Sequence, residues 1–339
     1  MILLPLRLGR GILALTALFM APFAFAQNFY WPTPMQVDAK TPWQEIVQPA
    51  ASGKPETGLF GLARNSGSRF HEGLDIRPVQ RDKKGEPTDI VKAVAPGTVA
   101  HIAPTPNGAY GRYIVLTHYQ PGITFYTLYA HLQSIAPGLK EGATIKAGQN
   151  IGIMGRSDAS GGFPKERAHL HFEVGVRLSD SFNNWYSRQK DFTTPNRHSI
   201  WNGRNLSGTD PLPFLGGGLL YGRAPDLAVI LKNEPVAVTA LVATTQIPDF
   251  VRINPTLVNG PIPKSLAGWK VEFAWHGLPF RWTPLTVAPG NGKGVKSLTV
   301  TSDQTLRERA TSRKLITQNK KNFVSGSTLT DIINILFDW

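Results

Sequence analysis

The sequence predicts a mainly β protein with a C-terminal region of strands followed by helices. Three observations carry that expectation. Between Gly58 and Val176, runs such as VKAVAPGTVAHIAP, YGRYIVLTHY, ITFYTLYAHL and NIGIMG are rich in β-branched and aromatic residues and broken by Gly, Pro and Asn, the composition of short strands joined by turns. No long helical period interrupts them. Further on, PVAVTALVA and WKVEFAWHG still alternate, but LRERATSRKLITQNKKNF and TLTDIINILFDW read as amphipathic helices, the second with Ser327 or Thr328 as its N-cap.

In chain order, residues 1–26 read as a secretory signal. MILLPLRLGR carries Arg7 and Arg10, an apolar run follows, and Ala24-Phe25-Ala26 fits the small-x-small cleavage rule, leaving Gln27 first. The run is short for a membrane span, and no other apolar run is long enough. The chain is therefore expected to be exported, to the periplasm or outside the cell. Residues 27–57 read as an extended arm, with Pro, Gln and Trp and no clear period up to residue 50. Residues 58–215 read as the β domain. Within it 177–208, polar and aromatic with Asn183, Asn184, Trp185 and Trp201, reads as an insertion, and DPLPFL closes the segment. GGGLLYGRAP, residues 216–225, reads as a linker to the C-terminal region, 226–339. There is no convincing internal repeat.

None of the 339 residues is cysteine. That excludes a disulfide framework, thiolate metal ligands and a lipid-modified cysteine anchor, so any metal must be held by His, Asp or Glu. The net charge is +13, or +11 without Arg7 and Arg10. Nucleic acid is not an expected target for an exported chain. A basic balance suits an anionic envelope polymer or membrane surface, with solubility as the plain alternative. The tail cations Arg307, Arg309, Arg313, Lys314, Lys320 and Lys321 read first as a solvated face.

Five side chains in the β region carry chemistry. FHEGLDI supplies His71 and Asp75, TLYAHL supplies His131, and AHLHFEV supplies His169 and His171. In a strand, residues i and i+2 share a face, so His169 and His171 would project side by side, with Leu170 and Phe172 turned away. A catalytic zinc needs three protein ligands and one open position for water. His71 and Asp75 can supply two ligands from one strand and its lead-in turn, and either histidine of the pair can supply the third. The two remaining histidines, one of them His131, fit the base and the oxyanion or leaving-group donor that amide hydrolysis needs. Each fragment alone is a weak signal; together, in this order, they point to a metal site.

The run HEGLDI, VKAVAPGTV, LYAHL, GATIKAGQNIGIMG, HLHFEV and DPLPFL resembles the lysostaphin-type (LytM-domain) zinc metallopeptidases, which cleave peptide cross-links in bacterial cell walls. The resemblance covers about 58–176 and 210–215. It implies a two-sheet antiparallel β core of the duplicated hybrid motif type, with a narrow groove over one zinc ion per chain. By position it implies His71, Asp75 and His171 as zinc ligands, and His131 and His169 as the catalytic histidines that do not bind metal. The expected partner is a peptidoglycan peptide. Three stretches depart from the usual pattern: 77–90 and 155–167 are longer, with Arg167-Ala168 replacing the common Gly-Pro before the H-x-H, and 177–208 is inserted. Loops of this kind would wall the groove. His118 reads as structural; His101, His198 and His276 lack partners in sequence; Glu72 and Glu173 read as pointing away from the metal.

Three rival functions remain, one of them a zinc peptidase that acts on a protein rather than the wall, which the sequence does not exclude. A non-catalytic LytM-type module, which binds cell wall or activates another hydrolase, would have lost ligands or catalytic histidines, and this chain retains all five. A biotinyl or lipoyl carrier would share the GATIKAGQNIGIMG hairpin, but the sequence has no Met-Lys pair to bear the group.

Overall fold

The computed structural model describes residues 28–38 and 40–339; the expected secretory signal lies outside them. No helix among the described residues is long and apolar enough to cross a membrane. The arm holds one helical turn, α1 (Trp43–Ile46). Short strands follow: β1 (Gly61–Arg64), β2 (Arg69–His71), β3 (Leu74–Ile76), β4 (Ile90–Lys92), β5 (Gly97–Asn107), β6 (Gly111–Gln120), β7 (Ile123–Ala130), β8 (Leu132–Ile135), β9 (Thr144–Ile145), β10 (Asn150–Met154) and β11 (Leu170–Arg177). The inserted stretch contributes α2 (Phe182–Ser187) and then β12 (Leu206–Thr209).

Every ladder among these strands is antiparallel, as the family resemblance implies. The main sheet runs β12-β11-β7-β6-β5-β9, and β3 also pairs with β11. β3 covers the first part of β11's outer edge, at Leu170–Phe172, and β12 covers the rest, at Val174–Arg177. A smaller sheet, β4-β10-β8, supplies the second layer. Leu170, Phe172, Val174 and Val176 of β11 and Ile114 and Leu116 of β6 enter the main core. Tyr113, Val115, Tyr126 and Leu128 point to the opposite face and pack with Trp201 in a second cluster. The end of the 177–208 stretch, around Trp201, therefore covers the back of the main sheet.

The arm is extended and integral to the core. Phe29, Trp31, Met35, Ile46 and Val47 are buried there, and Tyr30 N–H donates to the Val94 carbonyl (2.9 Å). The stretch expected to be a linker is largely helical. α3 (Pro211–Tyr221) starts at Asp210, whose carboxylate accepts from Leu212 N–H (3.0 Å), has Pro211 in its first turn, and ends at Gly222 with φ 64°. These are ordinary helix-start and helix-stop signals, and the three central glycines masked them. Gly218 is where α3 lies on Phe29: a Cβ there would sit 2.2 Å from the ring.

The C-terminal region contains α4 (Leu227–Lys232) and a four-stranded sheet of β13 (Val238–Ala243), β14 (Gly268–Phe273), β15 (Pro279–Leu285) and β16 (Gly294–Val300), in the order β15-β14-β13-β16. α5 (Asp249–Ile253) lies between β13 and β14. The first expected tail helix is only half present. α6 (Gln304–Ser312) stops there, and Ile316–Asn319 and Asn322–Ser325 form a hairpin, β17-β18, turning at Lys320 with φ 56°. A run of charged residues has helical propensity but does not resist a β-branched pair that finds a partner strand. α7 (Ser327–Phe337) forms as expected, one residue earlier, with Gly326 at its N-cap. Trp269, Trp282 and Phe337 belong to the same continuous core as Phe172 and Leu170.

Substituting Gly218→Ala should lower stability by about 1–3 kcal/mol, the usual cost of forcing atoms into a packed core. The denaturant midpoint reads this, and an unchanged midpoint would mean that α3 does not rest on Phe29.

Candidate metal centre and its groove

β2 delivers His71, and two residues later the chain turns into β3, which carries Asp75. Gly73 makes this turn possible: a Cβ there would lie 2.3 Å from the Phe172 carbonyl oxygen. β11 pairs with β3 so that His171 stands opposite Asp75, and with β7 so that it stands opposite Ala130. The period of two then sets His169, His171 and Glu173 on one face.

Three ligand-type atoms converge there. Asp75 Oδ1 is 3.0 Å from His71 Nε2 and 3.0 Å from His171 Nδ1, and those two nitrogens are 3.1 Å apart. The three residues are buried and are the group among the described residues that could hold a metal ion. The outer atoms of each group are engaged. His71 Nδ1–H donates to the Leu59 carbonyl (2.7 Å), which turns the Nε2 lone pair inward. His171 Nε2 bonds Glu173 Oε1 (2.9 Å), which turns Nδ1 inward. The Arg64 guanidinium pairs with Asp75 Oδ2 and leaves Oδ1 facing the histidines. Such outer partners fix the tautomer and orientation of a ligand.

Glu173 corrects the sequence reading. It lies two residues beyond His171, hence on the same face, and not away from it. Its carboxylate is buried and also accepts from Tyr110 Oη (2.8 Å) and Tyr126 Oη (3.0 Å). Burial, with Glu173 adding, pushes both phenols well above their ordinary pKa, so they remain donors. The i+2 spacing in HFE was the signal.

His131 and His169 flank this triangle. His131 follows β7 in a left-handed conformation, φ 61°, a strained geometry typical of functional positions. Its Nδ1–H donates to the Ser157 carbonyl (2.9 Å). His169 Nδ1–H donates to the Arg167 carbonyl (2.6 Å). Each ring thereby leaves Nε2 free of that main-chain contact. His169 Nε2 is buried without a hydrogen-bond partner and lies 3.3 Å from Asp75 Oδ1. The two rings are 4.8 Å apart, with Phe163 stacked on His169 (4.9 Å) and edge-on to His131 (4.9 Å).

The charges of the site follow from burial and neighbours. Burial, reinforced by the neighbouring histidines, holds His131 well below its ordinary pKa, hence neutral. Burial also lowers His71, against the pull of Asp75. Burial would raise Asp75, but His169 and His71 and the imidazole hydrogen bonds outweigh it and hold the carboxyl well below its usual range. For His171 burial works downward, yet the hydrogen bonds to Asp75 and Glu173 win and lift it to about 9.

The groove over these residues is lined by His131, His169, Asp75, Arg64, Phe163 and Asp158. The longer 155–167 loop thus walls it, as expected. The 77–90 loop braces that wall: Glu86 accepts from Arg156 Nε and Nη2 (2.9 and 3.0 Å), and Arg81 donates to the Lys165 carbonyl (2.9 Å). The 177–208 stretch does not line the groove; Trp201 and Leu206 cover the far face of the sheet, whereas Phe182 and Trp185 join the main core. His118 is structural, buried between the Pro96 carbonyl (2.8 Å) and Thr127 Oγ1 (2.8 Å). The other histidines find partners distant in sequence: His101 with Glu141, His198 with Tyr113, and His276 with Glu234.

Residues 69–183 match the model of Peptidase family M23. Among solved structures, a zinc-containing peptidase from Vibrio cholerae is 28% identical, over 31% of this chain and 26% of that one (TM-score 0.23). The catalytic domain of lysostaphin from Staphylococcus simulans is 25% identical, over 47% of this chain and 86% of that one (TM-score 0.28). A variant of the catalytic domain of the prophage-encoded M23 protein EnpA from Enterococcus faecalis is 24% identical, over 45% and 87% (TM-score 0.25). The chain thus spans about a quarter of the length of the Vibrio cholerae protein. No curated protein matches the chain.

Two outcomes are expected at this site. Glu173→Gln should weaken zinc binding about 10–100-fold, the usual cost of losing a ligand's outer carboxylate; an unchanged affinity in a chelator competition would contradict that role. A metal needs His171 Nδ1 unprotonated. His171 is raised above 6.5, so without metal it carries a stabilising proton at low pH and loses it as pH climbs through about 9. Zinc binding near neutrality should therefore release a proton, and the apparent affinity should rise about tenfold per pH unit below that value. A flat profile between pH 6 and 8 would contradict it.

Proposed function

Because residues 69–183 belong to Peptidase family M23, we propose that the chain is an exported zinc metalloendopeptidase that hydrolyses peptide cross-links of bacterial peptidoglycan. The observation that carries this reading is the convergence of His71 Nε2, Asp75 Oδ1 and His171 Nδ1 to 3.0–3.1 Å of one another. Ligands held about 2.0–2.1 Å from a tetrahedral zinc lie about 3.4 Å apart, so a shift of a few tenths of an ångström admits the ion. Two neutral imidazoles and one carboxylate suit zinc, and His169 and His131 stand on the side left open. One ion per chain is expected.

Zinc bound there would polarise the scissile carbonyl and lower the pKa of a water. The chain's own residues do the rest. His131, kept neutral by burial, can accept a proton at Nε2. His169 presents its Nε2 beside Asp75 Oδ1. The two share the general-base and oxyanion-stabilising work: a ring accepts the proton of the water at Nε2, and only a ring carrying a proton at Nε2 can donate to the oxyanion. Their Nδ1–H bonds to main-chain carbonyls fix the orientation of both rings. Phe163 packs against both rings and limits water around them, and Arg64 holds Asp75 in place. Export, to the periplasm or beyond, rests on residues 1–26. The positive charge would keep the enzyme near an anionic wall polymer; charge reversal at Lys314, Lys320 and Lys321 without loss of wall binding would sink that idea.

The test is zinc content and muropeptide release by the purified protein. The wild type should hold one zinc and release peptide fragments. His131→Ala should keep the metal and lose about 10²–10⁴-fold in rate, the range for a positioned acid or base. His171→Ala should lose both. Zinc without cleavage in the wild type would overturn the peptidase reading.

A further inference from the structure

The groove over the metal centre does not end at the catalytic histidines. The cavity at His131 and His169, about 280 Å³, shares Ala50, Arg64, Arg69 and Arg167 with a second cavity of about 600 Å³. The second one runs past the β1-β2 hairpin to Lys54 and to Arg309 on α6. The combined lining carries five cations, Lys54, Arg64, Arg69, Arg167 and Arg309, against Glu56, Asp75 and Asp158. Two of those carboxylates are already engaged. Asp75 faces Arg64 and the histidines, and Asp158 accepts from Ser160 N–H, Ser160 Oγ and Gly162 N–H within its own turn.

Arg69, Arg167 and Arg309 have no carboxylate within 4.0 Å among the described residues, whereas seven other arginines do; Arg309 feels the charge of Glu234 only at longer range. Two of the three are steadied on aromatic rings: Arg309 lies 4.4 Å over Trp275 and Arg167 lies 6.0 Å from the Phe163 centroid. A guanidinium fixed in this way keeps its fork of donors for a carboxylate at little further entropic cost. The C-terminal region, through Arg309 and Trp275, supplies one end of this cationic trough.

We propose that the trough is a subsite for the free carboxylates of the substrate peptide. Arg69, Arg167 and Arg309 select chains that carry acidic groups on one flank of the scissile bond. The cleavage side of this inference rests on the peptidase reading; the binding side does not. The C-terminal region then takes part in specificity, since a domain truncated after the β core would lack Arg309.

Calorimetry on the zinc-loaded full chain tests it. The probes are a hexapeptide with three free carboxylates on one flank and the same peptide with those groups as amides. The acidic peptide should bind at least about tenfold tighter at low salt, the advantage shrinking as salt screens the contacts. R69Q/R167Q/R309Q should remove that advantage, and R307Q, on the same helix but outside the trough, should keep it. Equal affinity for the two peptides, or an advantage that survives the triple substitution, would overturn the proposal. The single variant R69Q, at an exposed position, reads the same effect should the triple variant fail to fold. Cleavage of the two peptides is read separately. Selective binding without cleavage would sink the peptidase reading and leave the subsite standing; equal binding and equal cleavage would do the reverse.

Discussion

The antiparallel register of β11 against β3 sets His171 opposite Asp75, and the chemistry of the groove depends on that pairing. A slip by one residue would turn His169, His171 and Glu173 into the main core and bring Leu170 and Phe172 to the groove. The register is held because Leu170, Phe172, Val174 and Val176 are all fully buried on the other face. Gly73 allows the two backbones to approach. Hydrophobic burial, which has no direction of its own, thus positions three ligand atoms to within tenths of an ångström.

Around the triangle, every inward lone pair is set by an outward hydrogen bond. Leu59 fixes His71, Glu173 fixes His171, and Arg64 takes the outer oxygen of Asp75. Glu173 in turn depends on two tyrosines, half-buried Tyr110 from the turn before β6 and buried Tyr126 from β7. A buried carboxylate is tolerable only when its oxygens are satisfied, so Tyr110 and Tyr126 support the candidate metal centre although neither reaches it. The same logic explains the quiet histidines: His118, buried and pushed down to about 4, is neutral and bonded at both nitrogens.

Much of this was legible in the sequence because it depends on local periodicity. The strand runs, the shared face of His169 and His171, and the pairing of His71 with Asp75 follow from spacing alone. Glu173 obeyed the same period of two and was misread only by assigning it to the wrong face. Elements decided by distant contacts were hidden. The glycines of 216–218 resemble a linker until Phe29, nearly two hundred residues earlier, is seen to need a flat helix face. The β17-β18 hairpin lies inside a charged run whose propensity is helical. The role of 177–208 could not be read, because Trp201 packs on the back of a sheet whose strands lie far from it in sequence. The partners of His101 and His276 likewise come from other segments.

The most direct measurement is the zinc X-ray absorption spectrum of the metal-loaded protein. The proposed function predicts one ion with two imidazole nitrogens, one carboxylate oxygen and a water-type oxygen at about 2.0–2.1 Å. A first shell of three or more imidazoles would contradict it, since His169 or His131 would then be holding metal instead of moving protons.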